Sequence, residues 1–473
     1  MSNSKPLGYD SLKAVIPYMK MNVRYEMSSR LPFIKNLDRL LPARFDVVEF
    51  DVYQTRINDT TYRLGLVRQY PEGYEVPMTD KEVNDAGGRG MDMTEHGFNV
   101  LLHRHAITPG DIDIAPGQRI PHDGRVANAN RVLFERHVRV YEKALTLRQQ
   151  QGDDFSNIAQ IGGDGFDDLL GHNLLAPDDR EQRLLDYLLT FSAESIRMKL
   201  HDFRARLVPF HCRQFNTPLP FVPMIQLTIS SPRGKEIYRH AYNMKLGEAM
   251  KELNTKLLGG RNGVHHIRYL ILKQPVMIIR LPVGLRFTVG AVSIAGSAEL
   301  NLEALQPIVE ESSFPLNMLR MTGSFLHPAD YEHPKVRSAR TLKIHNDSEV
   351  LDVLPILRSL QNQNVILKCH SSRLQEQQQV ILVENWIDGD KEIGKSLSLE
   401  LMGMLSVRNL RTQIMFRFMG NRDLANNVTM PMRNGNNLQV KFIPLNNRTS
   451  RLNRRVNWRV EMKVLPGAVD EEY

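Results

Sequence analysis

The chain has 473 residues, 42% of them hydrophobic and 24% charged, enough to bury cores in two or three globular pieces and too apolar for a disordered polymer. Its 61 basic residues largely interleave with 53 acidic ones, and the net charge of +8 permits nucleic-acid binding without implying it. No run reaches the roughly 18 apolar residues of a membrane-spanning helix, the first residues carry no apolar stretch of signal-peptide type, and two cysteines, Cys212 and Cys369, make neither a disulfide framework nor a zinc site.

These exclusions lead to the expectation of an intracellular protein, cytoplasmic or nuclear, with reduced thiols. The Asn-x-Ser/Thr sequons at Asn58, Asn346, Asn427 and Asn447 are then expected to stay unmodified.

In chain order, residues 6–42 read as three short helices in quick succession. The first is capped by Asp10 and spaces Leu12, Val15, Ile16 and Met19 at i, i+3, i+4 and i+7. The second follows Asn22, carries Val23 and Met27 and stops at Pro32. The third holds Ile34, Leu37 and Leu41. Three helices in so few residues bury little surface among themselves, so they need either the rest of the chain or a partner to lean on. Pro17 removes the amide that would bond to the carbonyl of Lys13, at a cost of about 3 kcal/mol in a helix interior. The helix must kink there or end near Ile16, and a kink is expected.

FDVVEFDV and TTYRLGLV, separated by the turn signal Asn58-Asp59, are expected to form a hairpin. Glycine, proline and aspartate dominate from about Pro71 to Arg125, which reads as loop. A helix is expected from about Asn128 to Gln151, an acidic linker at 152–168, and another helix over EQRLLDYLLTFSAESIRMKLHDF. From residue 221 the strand-like MIQLTIS and the helix-like NMKLGEAMKELNTKLLGG open a C-terminal domain.

Within that domain an apolar-x-apolar signature recurs at Val292/Ile294, Leu319/Met321, Leu342/Ile344, Val365/Leu367 and Leu397/Leu399, with helical patterns between. A strand and a helix in every unit of about 25 residues suit a leucine-rich-repeat-like solenoid, and an open α/β sheet with short crossovers fits nearly as well. The residues between the paired apolar positions, Ser293, Arg320, Lys343, Ile366 and Ser398, project to the other face of the sheet and form a candidate target-binding surface. The expected fold class is therefore α/β (α+β overall): a small helical unit at 1–44, a hairpin at 45–75, a loop-rich and helical connection at 76–220, and an α/β repeat domain at 221–473.

The residues offer little chemistry. GGRG at 87–90 lacks the following Lys-Ser/Thr of a phosphate-binding loop and reads as a turn. His103/His105, His265/His266, His201 and His211 lack the companions of a metal site, and Asp111 and Asp113 lack a nucleophile beside them. No catalytic residue, metal or cofactor is expected. Arg448, Arg451, Arg454, Arg455 and Arg459 form the densest basic patch, which gives nucleic-acid binding as the alternative function and a charged edge as the blander account.

The segment PLGYDSLKAVIPYMKMNVRYEMSSRLPFIKNLDRLLP resembles the divergent F-box of a nematode-expanded family, the F-box-C-type proteins. VEFDVYQTRINDTTYRLGLVRQYPEG, NDAGGRGMDMTEHGF, TPGDIDI, KLGEAMKELNTKLLGGR, VMIIRLPVGLRF, LEALQPIVEESSFPL and VENWIDG are similar to further family segments in the same order. The resemblance implies a substrate-recognition subunit of a Skp-cullin-type ubiquitin ligase, with a Skp-type adaptor on the N-terminal helices and a protein target on the C-terminal domain. Carried over, the adaptor-binding positions are Pro6, Leu7, Leu12, Val15, Ile16, Met19, Met27, Leu31 and Pro32. The usual Leu-Pro entry is here reversed to Pro6-Leu7.

Overall fold

A computed structural model describes residues 9–100, 106–115, 124–151, 177–323, 327–346, 353–369, 376–402, 404–418, 421–423, 427–445 and 457–467. The acidic linker at 152–168 lies outside the described residues. The chain divides into two compact units, one of Met1–Thr60, Ile107–Gln118 and Leu253–Tyr473, the other of Thr61–Ala106 and Arg119–Glu252. This differs from the four consecutive segments expected from sequence. The cause is long-range pairing: the strand Val222–Ser231 pairs antiparallel with Thr60–Gln69, which takes the residues after 221 out of the C-terminal repeat. The expected hairpin is also rearranged. Arg44–Asp51 turns back onto the short strand Gln54–Ile57, and Asn58, at φ 56°, turns the chain before Thr60–Gln69 begins.

In the first unit the strands Arg44–Asp51, His265–Leu272, Phe287–Ala295, Met318–Gly323, Thr341–Asn346, Asn364–Cys369 and Ser396–Met402 lie side by side and parallel in that order. Antiparallel strands then extend the sheet: Asn457–Leu465, Asn437–Leu445, Asn427–Pro431 and Asn421–Asp423. The α/β class expected from the repeat is the class observed. The recurring apolar pairs fall in register, Val292 opposite Leu319, then Leu342, Val365 and Leu397, and all five are buried.

From Phe287–Ala295 to Ser396–Met402 every crossover steps to the next strand in the same direction. In the right-handed sense that such crossovers take, their helices fall on one face, over the buried pairs, while Val309 of the first connection pairs with the edge residue Phe287. Those helices include Ala298–Ala304, Pro334–Arg337, Val353–Ser359 and Glu376–Asp388.

Polar side chains tie successive crossovers together. Asp330 accepts from Ser297 Oγ at 2.8 Å and from the amide of Ala298 at 2.6 Å, so it caps the helix of the preceding crossover. Asn362, 2% exposed, donates from Nδ2 to the carbonyls of Val336, Arg337 and Ala339 at 2.8, 3.2 and 2.7 Å. It thereby ties the end of the short helix Pro334–Arg337 and the residues just after it to the start of the next strand's approach.

In the second unit the helices Gly124–Gln151, Pro177–Leu188 and Ala193–Phe215 pack around Tyr141, Leu184, Leu188, Ile196 and Phe203. The single helix expected over 181–203 is two. Ser192 accepts from the amide of Ser195 and starts a new helix, a cap that outweighs the continuous apolar spacing.

Removing a buried amide whose two N–H groups bond backbone carbonyls should be costly. Asn362→Ala is expected to destabilise the protein by about 1–3 kcal/mol, read from the midpoint of urea unfolding. An unchanged midpoint would show that water serves those carbonyls equally well.

Candidate binding surfaces

The N-terminal α-helix spans Tyr9–Val15 and gives way to a 3-10 turn, Ile16–Tyr18, with Pro17 inside it. The expected kink is thus corrected to a helix end. The amide that proline lacks is not needed where the bonding pattern changes. Helices Met21–Arg30 and Pro32–Arg39 follow.

Leu12, Ile16, Ile34 and Leu37 form a buried cluster, against which Met19, Met27 and Leu41 pack. Leu12 and Ile16 therefore point inward and offer no docking surface, and Met19 and Met27 are half-buried. Val15, Leu31 and Pro32 remain exposed, while Pro6 and Leu7 lie outside the described residues. Three larger side chains that the helical spacing does not single out are the most exposed apolar groups of these helices: Tyr18 at 81%, Leu40 at 57% and Phe33 at 53%.

The helices lean on their own unit. Arg24 is 1% exposed, and its Nε donates to Asp38 Oδ1 at 2.5 Å. Arg261 donates to the other oxygen of Asp38 from Nε at 3.2 Å and from Nη2 at 2.9 Å. One buried carboxylate is thus held between two guanidiniums, and burial lowers the Arg24 pKa from its ordinary value. Tyr25 adds a bond from its hydroxyl to the carbonyl of Leu257 at 2.5 Å, and Arg261 lies over its ring at 5.2 Å. The amide of Ala43 donates to Nδ1 of His265, which is 1% exposed. Burial, with the charges of Arg261 and Arg24 nearby, pushes the His265 pKa below its ordinary 6.5.

The five residues of the candidate target surface stand abreast: Ser293 opposite Arg320, then Lys343, Ile366 and Ser398, on the face away from the crossovers. Ser293 and Ser398 are buried, 6% and 8% exposed. Arg320, Lys343 and Ile366 are half-exposed. Arg320 and Lys343 sit directly side by side, an arrangement that like charges disfavour. Neither has a carboxylate partner among the described residues.

The other candidates resolve into structure. Arg448, Arg451, Arg454 and Arg455 lie outside the described residues. Arg459 sits in the strand Asn457–Leu465 and donates to Glu400 at 2.8 Å, so its charge is already matched. Asp111 is buried against Arg280 Nη1 at 2.6 Å. His201 lies 3.6 Å from Glu75, and His266 bonds Thr288 at 3.0 Å. Among the described residues no cluster of three potential metal ligands occurs.

GGRG is a close approach of two backbones rather than a flexible turn. A Cβ on Gly88 would meet Gly65 C at 2.8 Å and Leu66 N at 2.9 Å, and both Gly87 and Gly88 have positive φ, 101° and 87°. The approach lets Leu66 and Arg89 exchange backbone hydrogen bonds at 2.8 and 2.9 Å.

Residues 245–403 match the family model described as a domain of unknown function, DUF3557. No curated protein and no solved structure matches the chain. The matched span includes the parallel strands from His265–Leu272 to Ser396–Met402 and the row of residues on their crossover-free face. Among the described residues no helix is long and apolar enough to cross a membrane.

Two measurements probe the anchor. Asp38→Asn leaves two buried guanidiniums without a counter-charge and is expected to cost about 3–5 kcal/mol in urea unfolding. Because the folded His265 pKa lies below the unfolded 6.5, its contribution is complete above pH 6.5 and is lost as pH falls through the folded value. Stability should therefore drop between pH 7 and 5, and His265→Gln should flatten that drop. An equal slope in the variant would remove the assignment.

Proposed function

We propose that the protein is a non-enzymatic adaptor of the Skp-cullin ubiquitin-ligase kind, joining a Skp-type protein through its N-terminal helices and a target protein through the C-terminal sheet. The observation that carries the reading is the exposure of Tyr18, Phe33 and Leu40, with Val15 and Leu31, on helices whose own small core is already filled. Large apolar side chains left in water on a unit anchored to a larger body are what helix-in-groove recognition uses. The resemblance of residues 6–42 to an F-box supplies the kind of partner.

On the target side, the half-exposed Arg320, Lys343 and Ile366 occupy a stiff parallel sheet that holds their spacing. The absence of a metal-ligand cluster among the described residues is neutral on chemistry, and the adaptor reading does not rest on it.

The test uses the purified full chain and a purified Skp-type adaptor. Tyr18→Asp with Phe33→Asp should weaken binding at least 10-fold and leave the thermal unfolding midpoint within a few degrees, since both side chains are already solvated. Leu12→Asp should instead lower that midpoint, because it places a charge in the helical core. A wild-type chain that binds the adaptor no better than the Tyr18/Phe33 variant would overturn the reading.

A further inference from the structure

The second unit contains a cavity of about 920 Å³, within the size range of small-molecule sites. Its wall includes Arg68, Asp80, Arg89, Phe98, Phe210 and Arg213. Asp80 is 2% exposed and holds two guanidiniums with one charge. Its oxygens accept from Arg68 Nη1 at 3.2 and 3.0 Å and from Arg89 Nη2 at 2.8 Å, and the Tyr70 hydroxyl donates to it at 2.6 Å. The group therefore keeps a surplus positive charge, and Arg68 Nε is buried without a hydrogen-bond partner. The side chains of Arg68 and Arg89 are only 10% and 29% exposed, so water screens that surplus poorly.

A third guanidinium lines the same cavity. The Arg213 guanidinium lies over the ring of Phe98 at 4.8 Å and of Phe210 at 6.0 Å, and no carboxylate pairs with it among the described residues. Of the remaining lining charges, Arg206 and Asp202 lie one helical turn apart, and Glu95, 85% exposed, stands beside His96. The lining thus holds four arginines against three carboxylates, one of them in solvent.

The close approach at Gly65 and Gly88 fixes this arrangement, because the Leu66–Arg89 backbone bonds hold Arg89 where its side chain meets Asp80. The strand Thr60–Gln69, the glycine turn and the helix Met78–Asp85 together build a cationic corner in the same cavity wall as the half-buried Phe98.

We infer that this cavity binds a small organic anion, a molecule with an apolar body packed beside the half-buried Phe98 and a carboxylate, sulfonate or phosphate directed to Arg213 and Arg89. The inference stands independently of the adaptor reading, which concerns the other unit.

The probe is 1-anilinonaphthalene-8-sulfonate, a fluorescent aromatic anion, titrated into the full chain. Saturable one-site enhancement is expected, competed by 2-naphthoate and much less by naphthylmethylammonium, which has a similar body and the opposite charge. Arg213→Met keeps the apolar stem against the rings while removing the charge, and it should weaken binding at least 10-fold, as should Arg89→Gln. The Tyr18→Asp/Phe33→Asp variant should bind as wild type does, which separates this site from dye held on the N-terminal helices. Circular dichroism melting of each variant establishes that it is folded, and if Arg89→Gln does not fold, Arg213→Met decides alone. Equal affinity in folded Arg213→Met and wild type, or equal competition by the cationic and anionic naphthalenes, would overturn the inference.

Discussion

Arg24, Asp38 and Arg261 form the contact on which the placement of the N-terminal helices depends. Helices of seven, ten and eight residues are too short to hold their shape alone, and their shared core of Leu12, Ile16, Ile34 and Leu37 is small. Burying a carboxylate between two guanidiniums adds little net stability over an apolar substitute, because all three groups lose hydration. What it adds is orientation. The fork of each guanidinium fits the carboxylate in few ways, so the helices sit in one pose beside the residues that follow the helix Leu246–Leu258.

That anchoring accompanies a division of the side chains into buried and exposed. In an uninterrupted α-helix Leu12, Val15, Ile16 and Met19 would share one stripe. The α-helix ends at Val15 and a tighter turn follows; Leu12 and Ile16 are buried while Val15 and Tyr18 are exposed. Pro17, which looks like damage to the first helix, sits in the 3-10 turn that ends it.

The C-terminal repeat was the most legible part of the sequence, for a physical reason. Parallel strands in sequence order must each bury one side against their own crossover, so apolar-x-apolar pairs recur at near-constant spacing and fall into register. Side-chain alternation then placed Ser293, Arg320, Lys343, Ile366 and Ser398 in one row, although alternation alone could not tell that the two serines are covered. What escaped was every feature made by distant residues. The strand Val222–Ser231 reads as the start of the C-terminal domain until its pairing with Thr60–Gln69 is seen, and nothing local links Asp38 to Arg261. GGRG was visible as a motif, but its meaning lay in the strand it touches, where Gly65 is the second half of the contact.

The two halves of the proposed adaptor use opposite physics, and the sheet explains why both can belong to one rigid body. Continuous backbone pairing runs from Arg44–Asp51, which directly follows the helices, through to Ser396–Met402. A partner held by apolar side chains at the helices and a target steered by Arg320 and Lys343 would therefore be kept at a fixed separation, without a flexible joint between these strands. Fixed separation matters for an adaptor, because a stiff connection raises the effective concentration of one partner at the other only when its span fits, and contributes nothing when it does not. The side-by-side cations support this division as well: they cost repulsion in the isolated chain, and an acidic target segment would relieve it on binding, so the charge favours encounter while the sheet sets geometry.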